Sequence, residues 1–282
     1  MTQSAQLPSP TWFVGCGNMG REILDGWWSA EIDLGDVVVI RPSGTPVDDV
    51  VTVKSFAEAG PPPKLVVLAV KPQKLDEVAE QLKTWLISKT AVVSILAGVE
   101  AASLRRRFPQ AGAVVRAMPN LPVAIRRGVV ALYSEDADEA LRRQIGELFA
   151  PLGFTVWLPD EKKVAAVGSV AGAGPAYVAR FIAALAKAAE QRGLSPELAS
   201  TVALETVLGT AWMAAATGET MDSVARRVAS PKGTTEAGLA VLDREAVLDQ
   251  LIAVTIDAAA RRGAELAQEA RELAAEAPAQ PS

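Results

Sequence analysis

Histidine is absent from all 282 residues of the chain. That removes the imidazole base of Ser-His-Asp chemistry, the usual proton shuttle at neutral pH and every His-ligated metal site, so no metal is expected. A single cysteine, Cys16, excludes an internal disulfide and agrees with a reducing, cytoplasmic setting. No charge of one sign dominates: the formal net charge is −5 and the lysines and arginines are scattered, which argues against a nucleic-acid partner. Long unbroken apolar runs are missing too. The least polar stretch, residues 164–179, is interrupted by Gly168, Gly172, Gly174 and Pro175. It falls short of the roughly twenty apolar residues of a bilayer span, so no membrane helix is expected. Residues 1–10 lack the basic, apolar and small-residue order of a signal peptide and read as a short disordered lead. What remains for chemistry is hydroxyls, lysines, carboxylates, backbone dipoles or a cofactor.

The half of the residues that are hydrophobic are arranged in alternating patterns through the first part of the chain. Apolar or β-branched runs at 12–14, 36–40, 65–70, 91–96, 113–116, 128–133 and 154–158 read as strands. Between them, Ile23, Trp27 and Trp28 have helical spacing, Leu75, Val78, Ala79 and Leu82 recur at i, i+3, i+4 and i+7, and 138–149 reads as a further helix. After Pro159-Asp160 the strand signals stop and alanine-rich helical patterns run to about residue 273. The expected fold is α/β: an N-terminal Rossmann domain with a mostly parallel, doubly wound sheet, then a C-terminal all-helical dimerisation domain. The expected boundaries are 1–10 lead, 11–159 nucleotide domain, 160–272 helical domain and 273–282 disordered tail. The helical half carries more apolar positions than one small bundle buries, so self-association is expected there.

Five strand ends look built for a dinucleotide. Val14 closes the first strand, and Gly15-Cys16-Gly17-Asn18-Met19-Gly20 follows it into a helix, the context that a G-x-G-x-x-G fingerprint requires. Cys16 reads as a small residue that fits the loop, although a helix N-terminus can also lower a thiol pKa. After the second strand the chain reads Ile40-Arg41-Pro42-Ser43, with no carboxylate before Asp48 to bond a ribose 2′-hydroxyl. Arg41 and Ser43 instead suit a 2′-phosphate, and one charge-assisted hydrogen bond gives about a ten- to hundredfold preference, so NADPH is expected over NADH. Ala69-Val70-Lys71-Pro72 and Ala97-Gly98 end two further strands, and Asn120 follows Met118-Pro119 in the same way.

In the helical half, Ser230-Pro231-Lys232-Gly233-Thr234-Thr235 is a turn running into a helix N-terminus. Free N–H groups and the helix dipole there favour an anion.

These pieces, in this order, resemble the pyrroline-5-carboxylate reductase family across nearly the whole chain, from Trp12 to about Gln268. The specific part is Ala171-Gly172-Ala173-Gly174-Pro175-Ala176-Tyr177 together with residues 230–235. The resemblance implies an NADPH-dependent reduction of a cyclic imine, with a site formed where two interlocked subunits meet, in a dimer or a ring of dimers. It implies a carboxylate held by the N–H groups of Gly233 and Thr234, and the Thr235 hydroxyl near the ring nitrogen as the catalytic group. The chain departs from the family pattern at Ala171 and Ala173, where serines are usual, and at Lys232, where glycine is usual. A different ring substrate, a β-hydroxyacid dehydrogenase using Lys162 or Lys163, and a non-catalytic NADP sensor remain open at this point.

Overall fold

The computed structural model describes residues 6–276, with side chains through residue 269. The strands are β1 (Thr11–Val14), β2 (Val37–Ile40), β3 (Val51–Val53), β4 (Leu65–Leu68), β5 (Ala91–Ser94), β6 (Ala113–Pro119), β7 (Gly128–Tyr133) and β8 (Gly153–Trp157). They form one eight-stranded sheet in the order β3-β2-β1-β4-β5-β6-β7-β8. Neighbours are parallel except for β6 and β7. Runs such as Leu65-Val66-Val67-Leu68 are buried on both faces, as a parallel strand sandwiched between helices must be. Successive residues point to opposite faces: Phe13 and Val67 enter one core, Trp12 and Val66 the other.

Helix α1 (Asn18–Ser29) covers the first core with Ile23, Leu24 and Trp27. The Trp27 indole donates to the Leu148 carbonyl at 2.9 Å, anchoring it to α4 (Glu139–Phe149). On the other face lie α2 (Leu75–Leu82) and α3 (Ala101–Arg107). Helix α5 (Glu161–Val167) is tied to this sheet by a largely buried ion pair. Glu161 Oε1 sits 2.9 Å from Arg116 on β6 and also accepts the Ala101 N–H at 2.8 Å, at the start of α3. The chain leaves β1 toward β2 on one side and β4 on the other, so a crevice opens at the carboxyl ends of β1 and β4.

The remaining helices are α6 (Gly174–Glu190), α7 (Pro196–Thr217), α8 (Met221–Val228), α9 (Thr234–Leu242) and α10 (Val247–Glu276). Two compact units result: Gly174–Ala258, and the rest of the described chain. This division falls later than the expected boundary at 159/160, because α5 is pinned to the sheet by Arg116. In the helical unit, Ala186 of α6 packs on Ala199 and Ala203 of α7, with Ile182 and Ala189 beside them. Phe181, Leu208, Trp212 and Leu251 are exposed.

Several expectations change. Strand β3 and helix α3 carry no clear periodic signal, being only 3 and 7 residues long. In the segment expected as a lead, Leu7 packs on the core and the Pro10 carbonyl accepts the Lys64 N–H at 2.9 Å. Residues 1–5 lie outside the described residues, as does the expected tail beyond 276. Residues 164–179 do not interrupt their helix: Gly168–Gly172 forms a π-helical turn, and Pro175 enters in the first turn of α6. The stretch Glu161–Glu190 is therefore continuous, and it and helix α7 (Pro196–Thr217) are each long and apolar enough to span a bilayer by length and composition.

Candidate active site

The glycine loop sits at the crevice. Gly15 has φ +78°, and a Cβ there would meet Val70 Cγ1 at 2.7 Å and the Ala69 carbonyl at 2.8 Å, so the turn needs glycine. Its N–H donates to the Ile40 carbonyl at 2.8 Å, holding the loop across the end of β2. Gly20 lets α1 approach the sheet, since a Cβ would meet Phe13 at 3.0 Å and Ala69 Cβ at 3.1 Å. Gly17 faces open space and is the N-cap of α1 without a side-chain cap. Backbone N–H groups of the first turn, from Asn18 and Met19, are thus free to meet an anion, and Val14, Ala69 and Val70 wall the loop from behind. The glycine loop, Val14 and the Ala69-Val70 strand end are thus brought together at the crevice.

Burial pushes the Cys16 thiol up, outweighing the lowering effect of Arg41 and Arg21. The thiol is therefore protonated at neutral pH, which favours the reading of Cys16 as a small residue that fits. Arg41 follows β2 and forms no ion pair among the described residues; its N–H donates to the Val53 carbonyl at 2.9 Å. Ser43 is exposed, and its Oγ accepts from the Thr45 N–H at 3.3 Å and from the Thr45 hydroxyl at 3.0 Å. The nearby carboxylate of Asp48 is taken by Arg21.

Lys71 is exposed and Pro72 opens the short turn into α2. Ala97 and Gly98 lie beneath α10: a Cβ on Gly98, at φ +76°, would meet Leu266 at 3.3 Å. Pro72, Ala97 and Leu266 line a cavity of about 350 Å³, whose Asp76 and Arg107 are already paired at 2.6 Å. Asn120 is buried, and both ends of its amide are committed within the protein. Its Oδ1 accepts from the Val129 N–H at 2.7 Å and its Nδ2 donates to the Ala171 carbonyl at 3.0 Å. This double use, which nothing near Asn120 in the chain announces, makes it a pin between β6, β7 and the π-helical turn.

In the helical unit, the chain leaves α8, turns through residues 229–233 and enters α9 at Thr234. The Gly233 N–H donates to the Ser230 carbonyl at 2.9 Å, and a Cβ on Gly233 would strike Ser230 Oγ at 2.4 Å. Lys232 has φ +60°, and its N–H is held by Glu236 at 2.6 Å. Gly233 caps α9 without a side chain. Among the described residues neither the Thr234 nor the Thr235 hydroxyl has a hydrogen-bond partner; Thr234 is exposed and Thr235 half-buried. The turn thus offers two hydroxyls and the first N–H groups of a helix. Lys162 and Lys163 are exposed on α5, where Asp160 caps the helix through the Lys162 N–H at 2.9 Å.

The model of the pyrroline-5-carboxylate reductase dimerisation region matches residues 161–266. The model of coenzyme F420-dependent NADP oxidoreductases matches residues 12–98, which include the glycine loop and the strand ends through Gly98. Pyrroline-5-carboxylate reductase of Pseudomonas aeruginosa is 36% identical over 266 residues, covering 91% of this chain and 96% of that one. The Synechocystis enzyme of the same name is 38% identical over 212 residues, covering 74% of this chain and 77% of its own. Among solved structures, pyrroline-5-carboxylate reductase from Coxiella burnetii superposes with a TM-score of 0.83 at 32% identity, covering 92% of this chain and 99% of that chain. The Plasmodium falciparum pyrroline carboxylate reductase, solved with NADP bound, shares the fold with a TM-score of 0.81 at 24% identity, covering 92% of this chain and 98% of that chain. With its nucleotide loop, its helical region and nearly its full length matched, this chain belongs to the pyrroline-5-carboxylate reductase family.

Proposed function

We propose that the chain reduces 1-pyrroline-5-carboxylate to L-proline, with NADPH preferred over NADH. The observation that carries this reading is a match running through both units at once, 91% of this chain against 96% of a curated reductase. Bound NADPH supplies the hydride for the C=N carbon. The N–H groups at the start of α1 hold its pyrophosphate, and Arg41 with Ser43 meets the 2′-phosphate. Gly15 and Gly20 keep the loop close enough to β1 and β4 for that approach. Ala69, Val70, Lys71 and Pro72, with Ala97 and Gly98, form further wall of the cofactor site, and Asn120 holds that wall in place.

In the helical unit, the N–H group of Thr234 and those that follow it in the first turn of α9 receive the substrate carboxylate, favoured by the positive end of the helix. Gly233, whose own N–H is held by the Ser230 carbonyl and not left for the carboxylate as the resemblance implied, keeps the turn close beside it. The Thr235 hydroxyl orients the proton on the ring nitrogen. No histidine is required, because a cyclic imine is basic enough to arrive largely as its iminium. The protein's task is then orientation and electrostatics, with little proton transfer. A single free cysteine, with no internal disulfide possible, suits a cytoplasmic setting. The test is NADPH oxidation by purified protein on addition of pyrroline-5-carboxylate. Turnover that depends on the substrate carboxylate supports the reading, and none at any substrate concentration overturns it.

A further inference from the structure

The turn after β2 carries more positive charge than Arg41 alone. β3 runs beside β2, and the Arg41 N–H donates to the carbonyl of Val53, the last residue of β3, at 2.9 Å. The next residue, Lys54, therefore emerges against the turn that Gly44 closes by donating its N–H to the Arg41 carbonyl at 3.0 Å. An ideal Cβ on Gly44 would lie 2.5 Å from Lys54 Cε and 3.0 Å from Cγ. The lysine stem is thus laid along the Gly44 backbone, in space that any other residue at position 44 would fill. The ammonium is one bond beyond Cε, so it stays beside the turn that carries Ser43 and Thr45.

Neighbouring carboxylates do not claim it. Asp48 is paired with Arg21. Glu58 accepts from the Ser55 hydroxyl at 2.6 Å and from the Lys54 backbone N–H at 3.5 Å. The Lys54 ammonium forms no ion pair among the described residues. Glu58 lies near enough for that charge to help hold its carboxyl below the usual range, after its bonds to Ser55 and the Lys54 N–H. Two cations, Arg41 and Lys54, therefore flank one hydroxyl-bearing turn at adjacent strand ends, and a doubly charged group suits that arrangement better than a neutral ribose.

We propose that Lys54 is a second cation for the cofactor's 2′-phosphate and, with Arg41, determines the preference for NADPH. This rests on the reading that the turn after β2 receives the adenosine ribose. The test is calorimetric binding of 2′,5′-ADP, 5′-AMP, NADPH and NADH to the wild-type chain and to the Lys54→Met, Lys54→Arg and Arg41→Ala variants. Methionine keeps a stem to lie on Gly44 and removes only the charge. Lys54→Met is expected to weaken 2′,5′-ADP and to lower the NADPH-to-NADH affinity ratio by about three- to tenfold, with Lys54→Arg within about twofold of wild type. An unchanged ratio in Lys54→Met beside a collapsed ratio in Arg41→Ala would overturn the role of Lys54 and leave the 2′-phosphate reading standing. A wild-type chain that binds 2′,5′-ADP no better than 5′-AMP would overturn both.

Discussion

A hydroxyl without a partner inside its own protein is available to a ligand, and among the described residues the Thr235 hydroxyl, in the first turn of α9, has none. Thr235→Ala is expected to lower kcat by about ten- to a hundredfold, the worth of one hydrogen bond to a charged group, while the Kd for NADPH stays within about twofold. Stopped-flow turnover and fluorescence titration of NADPH separate the two effects, and an equal loss of both would make Thr235 a structural residue. Arg41→Ala is expected to cut the NADPH preference by about ten- to a hundredfold, and an unchanged preference would remove Arg41 from the site. Cys16 gives a pH test with a definite sign. Burial raises its pKa, so alkylation by iodoacetamide should be slow at neutral pH and accelerate only above the usual thiol range. Fast alkylation at pH 7 would mean an activated thiolate in the glycine loop.

At the scale of elements, the nucleotide half was legible because its signals are local. Gly15, Gly17 and Gly20 each do what their spacing implies: one takes a positive φ, one faces open space and one lets a helix close on a strand. The turn at residues 229–233 was equally readable, since Pro231 and Gly233 stop one helix before the next begins. Contacts between distant segments were not readable. Lys54 meets Gly44 only because β3 pairs with β2, and a three-residue strand leaves no periodic trace. Asn120 stood out as a polar group at a strand end, but nothing in its neighbours announces that its amide joins Val129 to Ala171. The continuity of the helix through Gly168–Gly172 was missed for a related reason. Glycines that end an α-helix elsewhere are here absorbed in a wider π turn packed on Met118. Asn120→Ala removes both bonds and leaves a buried N–H and carbonyl behind. It should cost about 2–3 kcal/mol, read as a lower midpoint of thermal unfolding. An unshifted midpoint would show that the pin carries no stability.

For the whole molecule, the apolar surface of α6 and α7 finds its explanation in pairing between subunits. The family's dimerisation region covers residues 161–266, which includes both stretches long enough to span a bilayer. Phe181 is 54% and Leu208 51% exposed in the single chain, a cost that a partner subunit removes. The double variant Phe181→Glu, Leu208→Glu should therefore sediment as a smaller species than wild type, whose mass also separates a dimer from a ring of dimers. Unaltered sedimentation would place the pairing surface elsewhere. The central claim joins both units in one reaction, and NADPH absorbance tests it most directly. Purified protein is mixed with racemic pyrroline-5-carboxylate and, in parallel, with its six-membered piperideine analogue. Rapid oxidation with the five-membered ring, lost when its carboxylate is absent, is the predicted result. Turnover of the analogue alone would shift the substrate to a larger ring shaped by Ala171, Ala173 and Lys232, and NADPH binding without turnover of either would contradict the assignment as a reductase.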